Sequence, residues 1–357
     1  MNMSSRISKI QNLLGAHDAF LVSDGANRFY LTGFNSSAGN VLITKSDSFF
    51  LIDFRYYEKA KKIVPACNVV LCSNFKKSVL EILNKENIKN LYIEPDKTSL
   101  SAFFRLQNLF PNIKISTDDV LQNFLLECRS IKSSEEISKI KQAQKLTDEA
   151  FSYILGKINN KASEKSLALE LEFFMRKQGS EGVSFDFIVV SGKNSSLPHG
   201  TPTDKILQNG DFITFDFGAV VDGYRSDMTR TVALGFVSEK QKMVYDTVKR
   251  AQKIAISEIL PGKKCLDIDK TARDYIYKSG FEGCFGHGLG HSVGIEIHEN
   301  PSFNTTCETL LCENMVITVE PGIYIENEFG VRIEDMIIVN KTGCEDITES
   351  TDELLII

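Results

Sequence analysis

Apolar positions recur along this chain with two different periods, and the switches between them mark its elements. Short apolar runs at AFLVS (19–23), VLIT (41–44), FFLID (49–53), VVLCS (69–73) and NLYIE (90–94) predict strands. Polar stretches with helical periodicity, such as 54–64 and 76–86, fall between them. That alternation predicts an α/β domain over residues 1–125 with a mainly parallel or mixed sheet. LECRSIKSSE (126–135) reads as a polar connection into a second domain, 126–357.

The second domain opens on a long helix. Ser133 is the expected N-cap, with Glu136 three residues on to complete a capping box. Ile137, Ile140, Leu146, Ala150 and Ile154 form its apolar face. Another helix begins near Ser163 and stops at Gly179. The same order then recurs: Ser238 with Gln241 starts a third helix, and a fourth over 265–279 ends at Gly280. A β-hairpin region follows each helix pair. This recurrence of elements, without sequence identity, predicts an α+β domain built as two αα-plus-β halves related by a pseudo-twofold axis.

Each hairpin carries two acids inside apolar runs. ITFDFGAVVDGYRSDMTRTV (213–232) holds Asp216 and Asp227, and a turn centred between Val221 and Asp222 would set them directly opposite each other. Cβ atoms at such positions lie roughly 5 Å apart, and like charges there destabilise a hairpin. A bound cation reverses the sign, and two carboxylates can bridge two metals roughly 3.5–4 Å apart. MVITVEPGIYI (315–325) carries Glu320 and VRIEDMIIV (331–339) carries Glu334, with a register left open by Pro321 and Gly322. Asp216 and Glu320 are 104 positions apart, and Asp227 and Glu334 are 107 apart, so the acids follow the repeat.

Composition narrows the partners. The 357 residues are 42% hydrophobic and 25% charged, with a net charge of -6 and no basic stripe, which argues against nucleic acid. No run approaches the roughly 20 apolar residues of a membrane span, and the N-terminus lacks a signal-peptide h-region. The eight cysteines include two C-x4-C pairs (Cys67/Cys72, Cys307/Cys312) but no C-x-x-C. They read as reduced thiols, and a cytoplasmic protein is expected. Of five histidines, four fall in glycine- and proline-flanked segments: His199 in SSLPHG, and His287, His291 and His298 in GHGLGHSVGIEIHENP. Gly286, Gly288 and Gly290 make a helix improbable there and predict a loop with close backbone approach. Four carboxylates and one imidazole form a hard donor set suited to Mn²⁺, with Co²⁺, Zn²⁺ or Fe²⁺ as alternatives.

DFGAVVDGYRSDMTRT, GHGLGH, HENP, VEPGIY and GVRIED together closely resemble the metal-dependent proline peptidases. These are the Xaa-Pro aminopeptidases and Xaa-Pro dipeptidases (prolidases) of the pita-bread, or creatinase/aminopeptidase, fold. DGANRFYLTGF (24–34) and LIDFRYYEKA (51–60) resemble that family's creatinase-like N-terminal domain, so the likeness covers nearly the whole chain. The resemblance implies two divalent metal ions held by Asp216, Asp227, His291, Glu320 and Glu334, with Asp227 and Glu334 bridging. It implies catalytic roles for His199, His298 and Glu320, a substrate-lining His287, and an Arg332 that braces the substrate site. The expected activity is an aminopeptidase that cuts the N-terminal Xaa-Pro bond through a metal-bridging hydroxide. A prolidase restricted to dipeptides is the alternative. The family's habit implies a homodimer. Methionine aminopeptidase shares the five ligands, but its bacterial forms lack such an N-terminal domain and its glycine loop normally lacks a histidine at 287. A non-catalytic binding protein of the same fold is disfavoured by the complete ligand set.

Overall fold

The computed structural model describes residues 3–357, which divide into two compact units between Arg129 and Ser130. The helix Val120–Ser130 runs through the first half of the segment expected to be a connection, and the change of unit falls at its last turn. Val120, Leu121, Phe124, Leu125 and Leu126 give that stretch enough apolar residues to stay helical despite its polar flank.

The first unit is a six-stranded mixed sheet. Its central strand Asp18–Val22 pairs antiparallel with Asn40–Thr44 and parallel with Asn90–Tyr92. Ser48–Ile52 joins the former antiparallel and Asn68–Leu71 follows it in parallel. Lys114–Ser116, a strand too short to register as an apolar run, closes the opposite edge. Helices Phe54–Ile63 and Phe75–Lys85 occupy the expected positions, capped by Asp53 and Asn74.

In the second unit the halves are built alike. Helices Ser134–Leu155 and Glu164–Lys177 pack with strands Ile188–Ser191, Phe212–Phe217 and Met228–Ala233 around one apolar core. Helices Glu239–Ser257 and Cys265–Ile276 pack with the five-stranded sheet containing Gly290–Ser292, Val316–Val319 and Asp335–Val339 around another. Complete burial of a Leu, Ile, Phe or Val side chain stabilises by about 1.5–3 kcal/mol, so each half carries its own anchor. Both capping boxes form: Ser133 with Glu136, and Ser238 with Gln241. Gly179 follows its helix at φ 108°, a conformation that a Cβ would oppose.

The register of the first hairpin corrects the sequence reading. Asp216 lies opposite Thr229, not Asp227. The turn is the two-residue Asp222–Gly223, with φ of 48° and 76°, inside the pairing of Val221 with Tyr224. Positive φ at both central residues is the hairpin turn whose twist matches the strands. It places the centre one residue later than expected, which shifts every pairing by two. Asp227 therefore sits diagonally to Asp216. Close approach in this stretch requires Gly218, where a Cβ would meet the Ser226 carbonyl oxygen at 1.9 Å. Direct opposition of two acids occurs instead in the second hairpin. The register that pairs Val319 with Asp335 and Gly322 with Arg332 sets Glu320 opposite Glu334, at the break between the two ladders.

Candidate metal centre

The two hairpins are joined where Thr229 meets Glu334. The Glu334 amide donates to the Thr229 carbonyl at 3.1 Å, and Thr229 Oγ1 donates to Glu334 Oε2 at 2.7 Å. Beside this seam lies a cavity of about 560 Å³. Its lining includes Asp216, Asp227, His291, Glu320 and Glu334, together with His199, His287, His298 and Arg332. Every side chain singled out in the sequence as a site residue thus reaches one cavity.

Donor atoms of Asp227, His291 and Glu334 lie within 4.8 Å of one another. His291 Nε2 is 3.6 Å from Asp227 Oδ2 and 3.4 Å from Glu320 Oε1. Its Nδ1 meets the Ser292 carbonyl oxygen at 3.2 Å. A proton donated there leaves the Nε2 lone pair aimed at the carboxylates, the tautomer that a metal ligand needs. Burial, with nearby His298 adding to it, holds the His291 ring down to about 4, so it is neutral at physiological pH.

The carboxyls are frustrated without a cation. Desolvation, then Glu334, Asp216 and Glu320, raise the Asp227 carboxyl well above its ordinary range. Desolvation, then Glu320 and Asp216, do the same to Glu334. Glu320 is pushed up to about 8, chiefly by burial. Arg332 is the one guanidinium among these four acids. It donates to Asp216, to Tyr324 Oη at 2.8 Å, to Thr229 Oγ1 at 3.0 Å and to the Pro198 carbonyl at 3.1 Å. Asp216 Oδ1 remains buried without any hydrogen-bond partner. An orphaned carboxylate oxygen beside three mutually repelling carboxyls fits divalent cations, and a donor set of oxygens plus one imidazole matches hard or borderline ions.

His287 stands differently. Its Nδ1 pairs with the Gly288 carbonyl at 2.8 Å and its Nε2 with Tyr324 Oη at 2.9 Å. Both ring nitrogens are thus engaged by the protein. Burial, then the Arg332 charge, lowers its pKa to about 4. His199 and His298 are exposed to the cavity.

Three supports escaped the sequence reading. Tyr324 links His287 to Arg332. Glu164, in the first turn of its helix and completely buried, accepts from Ser191 N at 2.7 Å, Thr203 N at 2.9 Å, Thr203 Oγ1 at 2.6 Å and Asn194 Nδ2 at 3.0 Å. It thereby fixes both ends of the segment that presents His199. Asp269 pairs with Arg273, which donates to the Phe285 and His287 carbonyls, while Asp269 Oδ1 accepts from Leu289 N at 3.0 Å. Their i, i+4 spacing was a visible signal of a pair, but not of the loop that it holds. That loop approaches its neighbours closely, as expected: a Cβ at Gly290 would lie 2.0 Å from the Thr318 carbonyl oxygen.

A duplicated α+β domain that converges four acids and a neutral imidazole on one cavity defines a metal-dependent hydrolase class. The family model "Metallopeptidase family M24" matches residues 138–341, and "Creatinase/Prolidase N-terminal domain" matches residues 6–131. The chain belongs to metallopeptidase family M24, with a creatinase-type domain preceding the pita-bread catalytic fold in sequence, and is a metallo-exopeptidase. It is 36% identical over 356 residues to the Xaa-Pro dipeptidase of Pyrococcus horikoshii, covering 99% of each chain. A solved Xaa-Pro dipeptidase from Bacillus anthracis is 38% identical and superposes with a TM-score of 0.95 over 100% of both chains. An X-Pro aminopeptidase structure from Thermotoga maritima is 36% identical, with a TM-score of 0.91 over 98% of this chain and 100% of that one. Among the described residues, no helix is long and apolar enough to cross a membrane.

Proposed function

We propose that the protein is an aminopeptidase that removes the first residue of peptides whose second residue is proline. Asp216, Asp227, His291, Glu320 and Glu334 would hold two divalent ions, Mn²⁺ first, with Co²⁺ or Zn²⁺ as substitutes. The observation that carries this reading is the convergence of those five side chains, with Asp216 Oδ1 left without a hydrogen-bond partner, on a cavity also lined by two exposed histidines. The bound ions would supply Lewis-acid polarisation of the scissile carbonyl and acidify the attacking water.

The chain's own groups account for the rest. Glu320, a carboxylate lining the cavity, is the group placed to accept a proton and pass it on. Its recipient is the proline nitrogen, which carries no hydrogen in the peptide bond. His199 and His298 offer N–H donors to the carbonyl oxygen as charge develops there. His287 and Arg332, tied through Tyr324, hold the wall against which the substrate packs. Eight cysteines without a disulfide support a reducing, cytoplasmic setting. We also propose a homodimer.

Hydrolysis of Xaa-Pro and Xaa-Pro-Yaa-Zaa under Mn²⁺ tests the reading. The tetrapeptide is expected to be cut at least as efficiently as the dipeptide. Activity confined to the dipeptide assigns the enzyme as a prolidase, a second reading favoured by the dipeptidase name of the 0.95 structural relative. Replacing His298 by Ala is expected to keep metal content and lower kcat by about 10²–10³-fold, as for a lost oxyanion donor. Loss of metal from that variant would place His298 among the ligands instead.

A further inference from the structure

Lys132 is buried, its side chain 1% exposed, in the turn that precedes the first helix of the second unit. Its ammonium donates to Ser292 Oγ at 2.9 Å and to Glu299 Oε2 at 3.2 Å. These two acceptors are the residues that immediately follow His291 and His298. One cation therefore holds the position next to each of two cavity histidines, whose ring centroids stand 4.4 Å apart.

The grip reaches backbone on both sides. Ser292 Oγ donates to the Val316 carbonyl at 2.9 Å, and the Ser292 carbonyl is the acceptor for His291 Nδ1. The other oxygen of Glu299 accepts the amides of Ile295 at 3.0 Å and Glu296 at 3.2 Å. The segment between the histidines thus wraps around the carboxylate, so closely that a Cβ on Gly294 would lie 2.6 Å from Glu299 Oε2. Lys132 is fixed in turn by its own amide, which donates to the Asn314 carbonyl at 3.0 Å. The strand pairing across this region slips between His291 and Ser292. Regular ladder hydrogen bonds therefore do not by themselves fix the spacing of the two rings.

We propose that Lys132 is a positioning residue for the site: through Ser292 it orients His291, and through Glu299 it sets the segment that presents His298. It touches neither substrate nor metal. A buried ion pair adds little net stability over an apolar pair of equal volume, so what this one supplies is geometry. The inference rests on the metallopeptidase reading of the cavity.

The test uses Lys132→Met, Lys132→Arg and the double variant Lys132→Met/Glu299→Gln in the full chain, with thermal midpoint, Mn²⁺ affinity by calorimetry, and kcat and KM as readouts. Lys132→Met alone removes the ammonium beside a buried carboxylate and is expected to lower the midpoint. The double variant removes both charges and is expected to recover the midpoint. It is nonetheless expected to bind Mn²⁺ about 10- to 100-fold more weakly, or to lose a similar factor in kcat, as when a ligand's supporting partner is removed. KM should move less than kcat. Lys132→Arg, which keeps the charge but not the shape, should fold and show a partial defect. A double variant with wild-type Mn²⁺ affinity and wild-type kcat overturns the proposal, and so does a defect that follows the midpoint across all three variants. If the wild-type enzyme spares Xaa-Pro peptides, the proline-peptidase reading fails, and the Mn²⁺ affinities still decide the role of Lys132.

Discussion

Stripping the enzyme of divalent ions is expected to abolish hydrolysis and to make its stability fall as the pH rises from 6 to 8. The raised carboxyls Glu320, Asp227 and Glu334 set the sign, against a smaller opposite contribution from His287 and His291, whose lowered pKa values favour folding as the pH rises through the ordinary histidine range. The Glu320 pKa in the folded, metal-free protein is about 8, against an ordinary value of 4.5. Between those values the folded chain keeps a proton that the unfolded chain has released, so stability falls as pH rises. The contribution is fully present below about 4.5 and gone above about 8. Asp227 and Glu334 are displaced in the same direction and steepen the trend. A divalent ion takes the place of those protons, so the increase in thermal midpoint on adding Mn²⁺ should be larger at pH 8 than at pH 6. Saturation at a thousand times Kd corresponds to about 4 kcal/mol of added stability. Thermal unfolding at the two pH values, with chelator and with Mn²⁺, measures both effects. A metal-free midpoint that rises from pH 6 to 8 would contradict the electrostatics described for the cavity.

Replacing Asp227 by Asn should separate stability from function at a single atom. The amide keeps the shape and removes the charge. Metal binding is expected to fall with activity, by about 10²–10³-fold or more in kcat. The metal-free variant, however, should be more stable than the metal-free wild type at pH 8, by on the order of 1 kcal/mol, because a buried carboxyl hemmed in by three others has gone. Mn²⁺ should then raise its midpoint little. Full turnover by the metal-stripped variant would sink the assignment of Asp227 as a ligand. A metal-free variant less stable than the wild type would show that Asp227 holds the hairpin by contacts other than charge.

Much of the fold could be read locally. Ser133 with Glu136 and Ser238 with Gln241 satisfy orphan helix amides within four residues, so both helix starts were visible in the sequence. Apolar runs marked the main strands because burial on a sheet demands them. The acids were conspicuous because charge inside an apolar run needs a compensating partner. What escaped was register. Asp216 faces Thr229 because Asp222–Gly223 adopts positive φ at both turn residues, and a one-residue change in the turn centre moves every cross-strand partner.

The supports of the site were less legible still. Lys132 and Ser292 lie 160 positions apart, and Glu164 and Thr203 lie 39 apart. A lone lysine or glutamate in a polar stretch gives no sign of such a partner. By itself the sequence singled out the acids and histidines that the structure gathers at one cavity, because carboxylates and imidazoles are marked by type and by the apolar or glycine-rich stretches around them. Only the tertiary structure decided which carboxyls face each other, which histidine nitrogens are already engaged, and which buried charges hold the site in place. Hydrogen bonds and repulsion depend on ångström-scale separations, and those are set by turn conformation and by packing between elements remote in the chain.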